Sequence, residues 1–332
     1  MSFNRLVADD FVVSADSITA GLWTDSNTPT ITTFYTSSTQ AAGSSGNYYL
    51  NVYSDSGLSS LEFATTYGNQ YGSGSELFDA AVNGKSPSST IYGQYRTLVL
   101  GDENSSFVFG GISSSDFWAI SIDRNRYKES LFPGSLTLTL TNGSDTISLT
   151  DNSQAVTTVQ FNDAGRVFQL VSGSAGTVYP GVNSNGYSAA SGSYGWFLPD
   201  ISTLLLNPLA ISASINLEPN RSSNTDGNNS WKLVQAIKTG ASFTLNSQET
   251  ITSDYVFCRP RSSEYNYSEN PSFISGSTGE VLYSSFINNP TTYITTVGLY
   301  NDTNELLAVA KLSKPLRKDF TKEALVRVKL DF

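Results

Sequence analysis

The chain contains no histidine among its 332 residues. That removes the commonest general base, the commonest metal ligand and the usual partner of a serine or cysteine nucleophile. A single cysteine, Cys258, excludes an internal disulfide framework. Charge is scarce: Asp, Glu, Lys and Arg make up 14% of the residues, against roughly 25% in an average soluble domain. The balance of 19 basic and 29 acidic residues, net −10, argues against a general nucleic-acid binder, which needs a cationic surface to displace counterions. It also disfavours docking on anionic membranes. No apolar run reaches the roughly 18 residues of a spanning helix; the closest, WFLPDISTLLLNPLAI (196–211), carries Asp200 and two prolines. The opening SFNRLVADDF has no basic-then-apolar leader, so synthesis in a cytosol is expected. Neither a P-loop nor a dinucleotide fingerprint follows a strand.

What is present is Ser, Thr, Asn and Gly around an apolar fraction of 39%, with 18 Tyr and 18 Phe. Ser and Asn favour turns over helix interiors because they bond their own backbone, so the composition predicts a loop-rich β protein. SLTLTLTNGSDTISLT (135–150) alternates Leu136, Leu138 and Leu140 against Thr137, Thr139 and Thr141, then turns at Asn142-Gly143. TTVQFNDAGRVFQLV (157–171) repeats the design with Asp163-Ala164-Gly165 as its turn, and Asn301–Asn304 separates two further apolar runs. In NYYLNVY (47–53), Leu50 and Val52 share a face with Tyr48. Helices are expected over 75–84, over 88–101 on an Ile91, Tyr95, Leu98 stripe, and over 231–240 on Leu233, Val234 and Ile237, with Ser230 as cap. Gly84, Gly101 and Gly240 stand as terminators.

The search for chemistry returns few candidates. Cys258 in VFCRPR sits beside Arg259 and Arg261, which would lower a thiol pKa, but strand alternation predicts that it faces inward. The oxygen-rich RSSNTDGNNS (221–230) lacks the alternating acidic ligands of a calcium loop and reads as an Asp-Gly turn. Asp102-Glu103 reads as a solvated turn. The cluster DRNRYKES (123–130) offers Arg124, Arg126 and Tyr127, either to a carboxylate-rich partner or to intramolecular pairs with Asp123 or Glu129. The last 22 residues hold seven Lys/Arg and three Asp/Glu, leaving 12 and 26 in the rest. Their pattern predicts two closing strands joined by KPLRKDFTKE, with Lys314, Arg317, Lys318 and Lys322 displayed on that loop. These charges either guard a strand edge or dock on an acidic neighbour.

Several stretches together resemble a family of virion structural proteins from T4-like tailed phages of cyanobacteria. They are YTSSTQAAGSSGNYYLNVY (35–53), STIYGQYRTLVLG (89–101), DRNRYKESLFPGSLTLTL (123–140), YGWFLPD (194–200), EYNYSENPSF (264–273) and, most specifically, residues 291–332. The chain departs from the family at Phe132, which stands where the family has an acidic residue before Pro-Gly. The resemblance implies a non-enzymatic subunit of a contractile-tailed virion, in the baseplate or adjacent tail, made in the host cytoplasm and present in multiple copies. It implies other tail or baseplate proteins as partners, and no nucleic acid, membrane, catalytic residue, metal or cofactor. The Tyr-rich palette leaves a second reading, a peripheral receptor-binding or fibre-attachment protein that contacts host glycans. The fold class expected is mainly β with a few short helices (α+β), in antiparallel sheets or a sandwich built from hairpins. The divisions expected are a β-rich part with two short helices (1–171), a Gly/Ser-rich loop (172–195) and an α+β part (196–332), as two linked units or one large domain.

Overall fold

The computed structural model describes residues 4–23, 30–31, 35–36, 49–75, 81, 86–180, 192–222 and 228–331. The chain forms two units, one of residues 17–249 and one assembled from 1–16 and 250–332. This differs from a division at 172–195. Although that stretch has the composition of a linker, the strand Gly165–Ser174 pairs with Gly195–Leu198, Phe168 opposite Phe197 and Leu170 opposite Gly195, so its flanks belong to one sheet. The helix expected over 75–84 lies outside the described residues apart from Ser75 and Ala81, as do residues 181–191 of the loop.

The unit of residues 17–249 is built on one long antiparallel sheet made largely of hairpins. Its central strands run, in spatial order, Thr137–Asn142, Asp145–Asp151, Gly165–Ser174, Gly195–Leu198, Thr203–Leu206, Asp116–Ile122, Leu61–Asn69 and Tyr49–Tyr53. In the Leu/Thr hairpin Asn142 pairs with Asp145. The two-residue turn is therefore Gly143-Ser144, one position later than expected, with Gly143 at φ 62°. Leu136, Leu138 and Leu140 are fully buried, as the alternation demands.

The sheet has helices on both faces, which explains the strands that do not alternate. Trp118, Ile120, Leu204, Leu206 and Phe197 point to one core, shared with α2 (Pro208–Ile215) and α3 (Asn228–Gly240). Their neighbours Phe117, Ala119, Leu205, Trp196 and Leu198 point to the other, shared with α1 (Pro87–Leu100) and the short hairpin Phe107–Ser114. The most membrane-like run of the sequence is thus a buried hairpin leading into α2. No helix among the described residues is long and apolar enough to cross a membrane.

Helix α1 ends where Gly101 takes the left-handed conformation, φ 64°, and donates back to Thr97. Its buried stripe is Ile91, Tyr92 and Val99, with Tyr95 against the same core; Leu98, expected inside, is 51% exposed. Helix α3 buries Leu233, Val234 and Ile237 as patterned, but starts at Asn228, so Ser230 lies inside it rather than at its cap. Gly240 closes α3 against the sheet: a Cβ there would stand 2.0 Å from the carbonyl oxygen of Thr139.

The second unit is thinner. Its strands are most of Phe11–Gly21 and of Asn246–Cys258, which pair with each other, then Val326–Asp331 on the other side of Asn246–Cys258 (Val256 opposite Val328), and the hairpin Thr292–Tyr300 with Leu306–Lys318. A five-residue helix, α4 (Ser284–Asn288), completes an aromatic cluster in which Phe273 and Phe286 stack at 5.2 Å. Of the 45 buried apolar side chains among the described residues, this unit contributes three: Val256, Phe273 and Val328.

Candidate assembly surfaces

The candidate residues fall into two groups, one in each unit. Arg124 and Arg126 lie on a single 3₁₀ turn that Asp123 opens, its carboxylate accepting from the backbone N–H of Asn125 at 3.0 Å. Arg126 reaches Glu62 at 3.9 Å, and that carboxylate is fully buried in the strand Leu61–Asn69. Arg124 donates to the carbonyl of Tyr127 at 2.8 Å and covers its ring at 4.7 Å. Tyr127 packs against the larger core. The cluster therefore uses its guanidinium groups internally, through Glu62 and Tyr127, neither of which is the neighbour expected. Sequence spacing cannot find Glu62, which arrives from a strand some sixty positions earlier. Arg124 and Lys128 remain exposed.

In the second unit the closing strand behaves as patterned: Leu325, Arg327, Lys329 and Asp331 are exposed, while Val326, Val328 and Leu330 turn inward. Lys329 pairs with Asp331 at 2.8 Å, which holds the Asp331 carboxyl below the usual range and lifts the lysine. The basic loop differs from expectation. KPLRK is not a loop; it finishes the strand Leu306–Lys318. Pro315 is accommodated because the register shifts between Ile294/Leu316 and Thr296/Lys311, leaving residues 312–315 in an irregularity that needs no donor at the proline.

Lys318 is fully buried, and this corrects its placement on a displayed loop. Its ammonium donates to the carbonyl of Ser262 at 2.9 Å, to Asn266 Oδ1 at 3.0 Å and to the carbonyl of Asp319 at 3.1 Å. A buried ammonium needs such a full set of acceptors. It follows Leu316 by two on the same inward face of the hairpin, the one signal in the sequence for its burial. Lys314 and Lys322 are exposed, and Arg317 is exposed with Asp319 at 3.3 Å.

Comparison with family models, curated proteins and solved structures returned no match. Function must therefore be argued from these surfaces. Cys258 is half-buried, its thiol pushed up first by burial and then by Asp10, the reverse of an activated nucleophile. Asp102 accepts from Ser105 and Asn104 in its own turn, which holds it low. Residues 223–227 of the oxygen-rich loop lie outside the described residues, but Asn229 beside them is committed to Asn220 at 2.8 Å and Gly74 at 2.9 Å. No group of three metal-ligating side chains occurs among the described residues.

What sequence reasoning missed is the amount of apolar surface on the second unit. Of 26 large hydrophobic side chains exposed among the described residues, 16 belong to it. They include Phe11, Val12 and Val13, then Leu282, Tyr283 and Ile287 around α4, then Tyr293, Leu306, Leu307 and Val309 on the hairpin. Alternation alone reports which face a residue shares, not whether anything covers that face.

Proposed function

We propose that this protein is a non-enzymatic structural subunit of a contractile-tailed phage virion, placed in the baseplate or adjacent tail and working by protein–protein assembly. The observation that supports it is the second unit's exposed apolar surface, carried by a unit with three buried apolar side chains. Exposed apolar area on this scale marks interaction surface. The resemblance of residues 291–332 to cyanophage virion proteins falls on the same unit. Lys314 and Lys322, exposed on the same unit, orient a partner of opposite charge on encounter.

Crosslinking mass spectrometry on intact virions tests the reading. Links from residues 250–332 to sheath, tube or wedge proteins are expected; links to distal fibres alone would overturn it. Reversing charge at Lys314 and Lys322 together should leave a folded chain that fails to enter particles, and normal incorporation counts against the docking role. Arg317 and Lys318 are poorer targets, because one pairs with Asp319 and the other holds the unit together. Exposed Tyr265, Tyr267, Tyr283 and Tyr293 keep the glycan-binding reading in play. Specific glycan binding lost on changing them to alanine would favour it.

A further inference from the structure

We propose that Lys318 and Asn266 condense into an isopeptide bond within the folded chain, a covalent staple for the unit of residues 1–16 and 250–332. Both residues are buried, Lys318 at 0% and Asn266 at 4% exposure. The lysine nitrogen lies 3.0 Å from Asn266 Oδ1, so nucleophile and amide are already in contact. It also shares an acceptor with the nitrogen it displaces. The Ser262 carbonyl receives Lys318 Nζ at 2.9 Å and Asn266 Nδ2 at 2.6 Å. Holding two groups together in this way turns a bimolecular encounter into an intramolecular one, and so lets groups react that are inert when apart.

The third acceptor of the ammonium is the Asp319 carbonyl at 3.1 Å, so none of the three is a carboxylate. The Asp319 carboxylate is instead committed to Thr321 and Arg317. A buried charge without a counter-charge is costly, and condensation removes this one from the interior. Lys318 Nζ bonds to Asn266 Cγ while the Cγ–Nδ2 bond breaks. Of the three ammonium protons, one stays on the new amide and two depart with Nδ2 as a free ammonium ion. Atoms and charge therefore balance without an oxidant or co-reactant. Glu264 supplies a carboxylate to carry protons between the two nitrogens. Its carboxyl is held low first by the Arg261 N–H, then by Asn4, and also by the charges of Arg261 and Lys318.

The position suits a staple. Lys318 stands opposite Thr292 at the base of the hairpin, and the Thr292 hydroxyl donates to the carbonyl of Tyr265, so polar contacts tie that base to the 262–266 turn. The unit has three buried apolar side chains among its described residues, and one cysteine permits no internal disulfide. A bond between positions 52 apart closes a long loop and stabilises the fold by constraining the unfolded chain. It forms once, without turnover and without a partner, so it stands or falls separately from the assembly reading.

Intact-mass spectrometry of the purified full-length chain, incubated in its folded state, is expected to show a deficit of one ammonia. Proteolysis should then release a branched peptide that carries Asn266 and Lys318 together. Lys318→Arg, which keeps the cation but has no amine that condenses, should restore the full mass, with circular dichroism as the check on its fold. An unaltered chain of full mass overturns the proposal, and this measurement decides even where Lys318→Arg does not fold. A deficit confined to Asn266 in a linear peptide, the mark of a succinimide, overturns it as well.

Discussion

Residues 17–249 and residues 1–16 with 250–332 solve different problems with the same β-forming vocabulary. The first unit closes its sheet between helices, so Trp118, Phe117 and Phe197 are fully enclosed. Two of the large polar side chains that enter this interior are met by partners: Trp118 Nε1 donates to the carbonyl of Asn229 at 2.9 Å, and Tyr67 donates to Asp116 at 2.8 Å, where Arg221 also binds at 2.7 Å. The second unit has strands as long or longer, yet its hairpin pairs half-buried Ile294 with Leu316 and Val297 with Ala310 and encloses neither. Its deepest long side chain is a lysine. Regular strands are therefore no measure of a core. What separates the units is the second layer, which packs on the sheet of one and not, among the described residues, on the hairpin of the other.

Truncating a core side chain should separate the units most sharply. Trp118→Ala is expected to cost about 3–5 kcal/mol in urea unfolding, whereas Leu307→Ala on the hairpin should stay within about 0.5 kcal/mol for the isolated chain. Equal costs would break the comparison. A smaller effect probes how the first unit satisfies its polar interior. Asp116→Ala leaves the buried Tyr67 hydroxyl without its acceptor and should cost roughly 1–3 kcal/mol, with little from Arg221, whose side chain is 40% exposed. The smallest is a pH effect. Burial pushes Tyr67, Tyr92 and Tyr95 up, Tyr95 to about 12 from an ordinary 10.0. A raised folded-state pKa favours the protonated form, so this stability is fully present below about pH 10 and lost as pH rises through 12. Tyr95→Phe should flatten the fall in melting temperature over that window, and an unchanged slope would refute the assignment.

Legibility in the sequence follows the range of the interactions. The Leu/Thr hairpin, α1, the body of α3 and the alternating C-terminal strand were readable, because each is set by residues within one turn or one strand pair of each other. Helix α2 was hidden inside a run whose apolar character comes from burial on both sheet faces, which erases periodicity. Cluster DRNRYKES could be found as a cluster, but Glu62 as its counter-charge could not. For the basic tail, proline and charge suggested a loop, and a bulge opposite Thr295 let the strand continue instead.

The sequence by itself determined the β-rich class, the main turns and the chemistry withheld by the lack of histidine. Composition and short-range pattern suffice for these, since they depend on backbone preference and on which side chains exist. Tertiary structure alone decided that the Gly/Ser-rich stretch lies within one unit, that Lys318 is enclosed by three oxygen acceptors, and that apolar strands of identical pattern are covered in one unit and bare in the other. Coverage is a property of what packs on a face, and no local pattern encodes it.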